Sequence, residues 1–345
     1  MNNLVLFDDS QRNRLLSKRK GEIKFGEQVQ LLSNFNDIYD QMLKLDVTHV
    51  IFGISEDVGV FANYGKTGTS TAWKKVIKVL LNTQNNEYSV PNNVLILGHI
   101  YPKKALKKLS KLDQKSSRDI KQARKMVAEI DAEVSYLVNL IIKAGKIPII
   151  VGGGHNNAYG CIKGTSLALN KNINAVNFDA HTDFRPEEGR HSGNGFSYAF
   201  AEGFLKKYFI FGIHENYTSS DILKVIKKLK KHIAYNTFES IKIRGESTFE
   251  AALKKAFDFI SSRPFGVEVD CDAIENMPSS AMTPSGFSGT EARKFVSYFG
   301  KHENARYLHI CEAAPNLGSK QQSTQGAKLL SYLITDFIKA HGNKD

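Results

Sequence analysis

Residues 177–186 read Asn-Phe-Asp-Ala-His-Thr-Asp-Phe-Arg-Pro (NFDAHTDFRP), and the apolar run Ile173 to Phe178 leads into them. Asp179, His181 and Asp183 recur at intervals of two. On an extended backbone that spacing puts successive side chains on one face, so three metal-competent groups are expected to point the same way at the end of a strand, with Ala180 and Thr182 opposite.

Similar runs recur on both sides of this stretch. THVIFGISED, NVLILGHI, KIPIIVGGGH, KYFIFGIHE, HIAYNTF, FGVEVDCDA and ARYLHICEAAP all have strand length and end in polar or glycine-rich turns. Most are continuously apolar rather than alternating, which is the pattern of a parallel sheet covered on both faces. Helical patterns lie between them. The clearest spans Ser117 to Ala144, with Val127, Ile130, Val134, Leu137, Val138 and Ile141 on one stripe, Gly145 as a stop and Pro148 beyond. Another, carrying Leu329, Leu330, Leu333, Ile334 and Ile338, closes the chain. Alternating strand and helix predicts a three-layer α/β/α fold around a mainly parallel central sheet. Residues 1–345 read as a single domain. Its one weak boundary is the lysine-rich stretch Tyr101 to Ser117, taken as a surface excursion.

The composition, 41% hydrophobic and 24% charged, is that of a soluble globular protein. MNNLVLFDDSQRN has no basic leader, and no apolar stretch approaches the roughly 20 residues needed to cross a bilayer. A cytoplasmic protein without a membrane segment is expected. Cys161, Cys271 and Cys311 are too few and too far apart for a disulfide framework or a zinc-thiolate site. The net charge of +12 and a pI near 9.3 raise the question of nucleic acid. In DILKVIKKLKKH, however, Ile222, Val225, Ile226 and Leu229 form an apolar stripe that leaves the lysines on the wet side. No aromatic residues interleave, so a solvated helix face is preferred over a nucleic-acid site.

In a parallel α/β sheet, ligands bind beyond the carboxyl ends of the strands. There, IPIIV runs into Gly152-Gly153-Gly154-His155, INAVNF into Asp179, His181 and Asp183, FGVEV into Asp270 and Asp272, and RYLHI into Glu312. Buried carboxylates are costly unless paired or bound to a cation. A divalent metal cluster would resolve the mutual repulsion of Asp179, Asp183, Asp270 and Asp272. An oxygen-rich set with two imidazoles and no thiolate favours Mn2+ over zinc.

GGGH, DAHTD and VDCDAI, in this order and at these separations, resemble the three metal-binding signatures of the ureohydrolase superfamily of arginases, agmatinases and formimidoylglutamases. GISEDVGVFANYGKTGT, from Gly53 to Thr69, is similar to their early glycine-rich segment. The resemblance implies two Mn2+ per chain held by His155, Asp179, His181, Asp183, Asp270 and Asp272, with Asp179 and Asp270 bridging. It also implies a homo-oligomer and hydrolysis of an amidine or guanidine C–N bond. Two ions about 3.5–4 Å apart share a water and lower its pKa towards neutrality, which supplies a bridging hydroxide. On the family pattern Asp183 passes a proton to the leaving nitrogen, and Glu312 pairs with the cationic amidine.

The loop RPEEGRHSGNGFSYA, from Arg185 to Ala199, is expected to choose the substrate. Ser192-Gly193-Asn194 resembles the arginase loop that holds the α-carboxylate and amino group. Arg185, however, stands where arginases typically carry asparagine, the arginase histidine two residues after Ser-Gly-Asn is missing, and GGGH replaces GGDH. These features look more like formimidoylglutamases, which act in histidine degradation. N-formimidoylglutamate has two carboxylates, and a guanidinium from Arg185 or Arg190 is well shaped to grip one. The alternative for each arginine is pairing with Glu187 or Glu188. Formimidoylglutamate therefore ranks first, arginine second, and agmatine or another guanidine third. A metal-less scaffold and a basic nucleic-acid-binding protein are the non-enzyme alternatives. Cys271 is expected on an extended strand facing away from the metals, with Cys161 and Cys311 in packing roles.

Overall fold

The computed structural model describes residues 2–32, 34 and 36–342. Nine strands form one sheet: β1 (Leu4–Leu6), β2 (His49–Ile54), β3 (Val94–Ile100), β4 (Ile147–Val151), β5 (Ile173–Phe178), β6 (Leu205–Ile213), β7 (Ile233–Thr237), β8 (Phe265–Asp270) and β9 (Ala305–Cys311). Their order is β1-β3-β2-β4-β9-β8-β5-β6-β7. Every neighbouring pair is parallel except β1–β3. The eight runs read as strands are all strands. The sequence reading missed β1, three residues paired antiparallel to β3 at the sheet edge, too short to show a period.

Alternate strand residues feed two cores, one on each face. Ile51, Val176, Phe178, Val267, Val269, Leu308 and Ile310 meet the helices Ala72–Leu80, Phe249–Ile260, Gly289–Gly300 and Lys320–Gly342. Val50, Phe52, Ile150, Ala175 and Tyr307 meet the helices Ser117–Lys143 and Asn157–Leu169. The protein is thus a three-layer α/β/α fold with a mainly parallel central sheet. The long helix starts where Ser116 Oγ accepts the Asp119 amide at 3.3 Å, a cap of about 1 kcal/mol, and stops before Gly145 at φ 73°. On the lysine-rich helix Ser220–Lys228 only Ile226 is buried, Val225 is exposed instead of joining the stripe, and Lys224, Lys227 and Lys228 are exposed. Tyr101–Ser117 contains a short helix, Lys103–Leu109, docked through Leu109. Among the described residues no helix is long and apolar enough to cross a membrane.

Register sets the position of the site. Val151 pairs with Ile310, Asp270 with Cys311, and Phe178 with Val269, so β4, β9, β8 and β5 end at one level beside one another. The four chemistry-bearing turns therefore emerge side by side.

Candidate metal centre

After β4 the chain reverses through Gly152 and Gly153, at φ 93° and 71°. A Cβ on Gly153 would fall 2.3 Å from Asn157 Nδ2, so this turn needs glycine both for its conformation and for its space. Buried Glu56 clamps the turn by accepting the Gly154 amide at 2.8 Å and Asn157 Nδ2 at 2.9 Å. His155 is fully buried. Its Nδ1 lies 2.8 Å from Asp183 Oδ2, 3.0 Å from Asp270 Oδ2 and 3.4 Å from Asp179 Oδ2. Its Nε2 faces Glu268 Oε2 at 3.5 Å.

Strand alternation does not produce this convergence, contrary to the sequence expectation. β5 stops at Phe178, and Asp179 Oδ1 accepts the His181 amide at 2.6 Å, which bends the chain at once. Asp183, at φ 43°, then turns its carboxylate back to His155. The same device follows β8. Asp270 Oδ1 accepts the Asp272 amide at 2.8 Å, and Cys271–Ala273 form a 3-10 turn. Cys271 is therefore not on an extended strand, although its side chain is buried in the apolar core. Glu312 follows β9 at φ 58°, and its Oε1 accepts the His155 amide at 2.8 Å. Left-handed conformations at Asp183 and Glu312 cost roughly 1–2 kcal/mol each, held here by the packed turns.

The donors fall into two sets. His155, Asp179, Asp183 and Asp270 offer atoms within 4.8 Å of one another, as do Asp179, His181 and Asp272. Asp179 belongs to both sets, while Asp270, also expected to bridge, belongs to the first only. Burial, together with Asp179, pushes the Asp183 carboxyl up to about 6. Burial with Asp272 and Asp179 pushes Asp270 well up, and burial with Asp272 and Asp183 pushes Glu312 up to about 8. Asp272 draws the His181 imidazole well above its usual range. For His155 burial acts the other way, but Cys311 and the facing carboxylates prevail and draw it up as well. Opposing acids and protonated imidazoles packed this closely are the signature of a place built for cations, and the two sets form a binuclear metal-binding site suited to two divalent ions. His155, His309 and Cys311 also lie together, but burial pushes the Cys311 thiol well up, away from the thiolate a metal would need.

Above this floor opens a cavity of about 640 Å³, walled by His181, Asp183, Asp270, Asp272 and Glu312. Arg185 and Ser192 stand on its rim. Arg185 Nη1 donates to Asn63 Oδ1 at 3.0 Å and Nη2 pairs with Glu188 at 3.3 Å, leaving the side chain half-exposed. Asn63 Nδ2 in turn donates to Ser192 Oγ at 3.1 Å. Arg190 and Asn194 do not line this cavity. Arg190 is buried against Asp131 at 2.8 Å and borders a different cavity of about 710 Å³. Asn194 is fully buried, with its amide spent on the Pro186 and Gly189 carbonyls. The sequence reading missed Asn63, Glu56 and Glu268. Glu56 and Asn63 lie in the 53–69 stretch that resembles the family's early glycine-rich segment, and Glu268 is a charged residue in an apolar strand two positions before Asp270 and on the same face.

A family model described as Arginase family matches residues 49–335. The chain belongs to the arginase family. Within this ureohydrolase superfamily, a formimidoylglutamase of Streptococcus pyogenes serotype M12 is 25% identical over 325 residues, covering 90% of this chain and 92% of that protein. Trypanosoma cruzi formiminoglutamase, solved with Mn2+, superposes with a TM-score of 0.72 at 17% identity, covering 94% of this chain and 100% of that one. Bacillus subtilis formimidoylglutamase gives a TM-score of 0.71 at 17% identity, covering 94% of each chain. At such identities the structural likeness establishes the arginase-family fold.

Proposed function

We propose that this arginase-family chain is a manganese-dependent hydrolase of amino-acid amidines, splitting N-formimidoyl-L-glutamate into glutamate and formamide. The observation that carries the reading is one cavity with an acid floor and, among the described residues lining it, a single guanidinium, Arg185, at its rim. A cationic amidine suits the floor, and a second carboxylate suits the rim. The S. pyogenes, T. cruzi and B. subtilis relatives bear names that fit this choice.

His155, Asp179, Asp183 and Asp270 would hold one ion, and Asp179, His181 and Asp272 the other. When bound, such a pair of divalent ions acidifies a water to near neutrality and so supplies the nucleophile. Glu312, pushed up to about 8 by burial first and then by its acid neighbours, becomes a carboxylate once a cationic amidine faces it, and so orients the planar group. Asp183, on the cavity wall, is placed to move a proton to the leaving nitrogen. Arg185, steadied by Asn63 and paired with Glu188 as the alternative reading expects, would have to give up Glu188 to grip the distal carboxylate with paired N–H donors, and Ser192 would meet the α-carboxylate.

Ser192 on the rim also favours arginine as a second reading, but Asn194, the other half of that motif, is turned inward. Agmatine leaves Arg185 without a carboxylate. Nucleic acid is disfavoured by the acid cavity and by lysines that lie on a solvated helix face.

The deciding assay gives Mn2+-loaded protein N-formimidoylglutamate, arginine and agmatine side by side, scoring formamide and urea separately. Formamide with glutamate is expected. Urea from arginine without formamide would replace this reading by the arginase one, and salt-sensitive nucleic-acid binding without turnover would place the chain outside the enzymes.

A further inference from the structure

Arg190 carries a buried charge that touches neither the metal donors nor the substrate cavity. Its Nε donates to Asp131 Oδ2 at 2.8 Å, its Nη2 to the Asn156 carbonyl at 2.9 Å, and its Nη1 to Asn194 Oδ1. The guanidinium lies between the rings of Tyr159 and Tyr198, 4.8 Å from each centroid. These contacts join three parts of the molecule. Asp131 is on the long helix Ser117–Lys143, Asn156 directly follows His155, and Asn194 is the hub of the rim loop. Besides Arg190, Asn194 Oδ1 accepts the His191 amide at 3.0 Å, while Nδ2 donates to Pro186 O at 3.2 Å and Gly189 O at 2.9 Å. The loop's outer side is tied to the same helix by Arg124, which pairs with Glu188 at 3.2 Å.

We propose that Arg190, anchored by Asp131, is a positioning residue that sets the substrate loop, and with it Arg185 and Ser192, at a fixed distance from the metal-binding turn at His155. The proposal rests on reading this cavity as an amidine site. A planar fork is needed because one side chain must reach a carboxylate, a main-chain carbonyl and an amide oxygen at once, which a lysine ammonium cannot match in geometry. Near-attack geometry is sensitive to such spacing. A shift of about 1 Å far from the reacting atoms can cost on the order of 100-fold in rate.

Removing Arg190 alone would strand the Asp131 charge in the interior, and the resulting instability would hide the effect. The test therefore uses the Arg190→Met/Asp131→Leu double variant, which removes both charges, and Arg190→Lys, which keeps the ion pair but loses the fork. Full-length protein loaded with Mn2+ is compared with wild type for melting temperature, metal content, kcat and KM on N-formimidoylglutamate, and hydrogen exchange of the 189–193 amides. The double variant is expected to melt near wild type and to keep both ions. It should exchange the loop amides at least about tenfold faster and lose roughly 100-fold in kcat/KM, with both kcat and KM affected. Arg190→Lys should show the same signature, and if the double variant does not fold, Arg190→Lys alone decides. Wild-type kcat/KM in a folded variant overturns the proposal, whatever the loop amides do. If wild type ignores N-formimidoylglutamate but hydrolyses arginine, the substrate reading fails and the same comparison is made with arginine. If it hydrolyses neither, both fall.

Discussion

The floor and the rim of the cavity are built on opposite principles. Floor residues sit directly after parallel strands whose register is set by the sheet, and each aspartate pair turns the chain by accepting an amide two residues on. Rim residues sit on a ten-residue loop, 185–194, whose course is decided by long-range contacts to Arg124, Asp131 and Asn63. Neighbours in sequence on the floor converge. On the rim they diverge, with Arg185 and Ser192 at the cavity but Arg190 and Asn194 turned into the protein. On the proposed function, chemistry would be carried by the part that cannot move without breaking the sheet, and selectivity by a part that can be rebuilt.

The strongest blow to the floor should be Asp179→Ala, because Asp179 alone belongs to both donor sets. Metal analysis should fall from two ions per chain to one or none, and turnover should vanish. Two retained ions would mean that the donor sets are wrongly divided.

A large effect is also expected from pH. In the metal-free protein Asp272 draws His181 well up, Cys311 and the facing carboxylates draw His155 up against its burial, and burial raises Asp183 to about 6 and Asp270 well above its usual range. Ligands must shed those protons to bind a cation, so Mn2+ affinity rises with pH, about tenfold per unit for each proton released. Calorimetry between pH 6 and 8 in buffers of different ionisation enthalpy would measure the release, and a flat affinity would break the account of the floor.

Glu268 supports the floor from behind. Its Oε2 lies 3.5 Å from His155 Nε2 and 2.6 Å from His309 Nδ1, and Tyr307 donates to its Oε1 at 2.7 Å. Glu268→Gln should weaken Mn2+ binding by about 10–100-fold while the loop and its selectivity stay as they are. The smallest change is expected from Cys271→Ser. A hydroxyl in that apolar pocket should cost about 1–3 kcal/mol in a denaturation experiment, with metal content and kcat kept. Loss of metal from a folded Cys271→Ser protein would show that the turn after β8 is less self-contained than argued.

The same contrast explains what could be read from the sequence. Most of the eight strands announced themselves by continuous apolar runs, because both faces of a parallel sheet are covered, whereas the edge strand β7, IAYNT, is only partly buried. β1 did not, since three residues on an edge carry no period. His155, Asp179, His181, Asp183, Asp270, Asp272 and Glu312 were placed together because strand ends in a parallel sheet share one level. The means differs from strand alternation: Asx turns, and left-handed residues at Asp183 and Glu312, bring them together. On the loop, composition could not separate Arg185 from Arg190. Asp131, 59 residues earlier on a helix, with Asn156 and the rings of Tyr159 and Tyr198, decides which guanidinium is buried. Asn63 lies in the quoted 53–69 stretch, but its contacts to Arg185 and Ser192, more than 120 residues away, are not legible there for the same reason.

The division of labour between floor and rim is tested most directly by the ratio of kcat/KM for N-formimidoylglutamate to that for arginine, in Mn2+-loaded wild type and in Arg185→Met. The side chain is half-exposed, so its pair with the distal carboxylate should contribute about 1 kcal/mol, or roughly fivefold. The account predicts that the wild-type ratio favours formimidoylglutamate and that Arg185→Met lowers it by about that factor, with metal content unchanged and arginine turnover no worse. An unchanged ratio, or a wild type that releases urea from arginine and leaves formimidoylglutamate untouched, would contradict it.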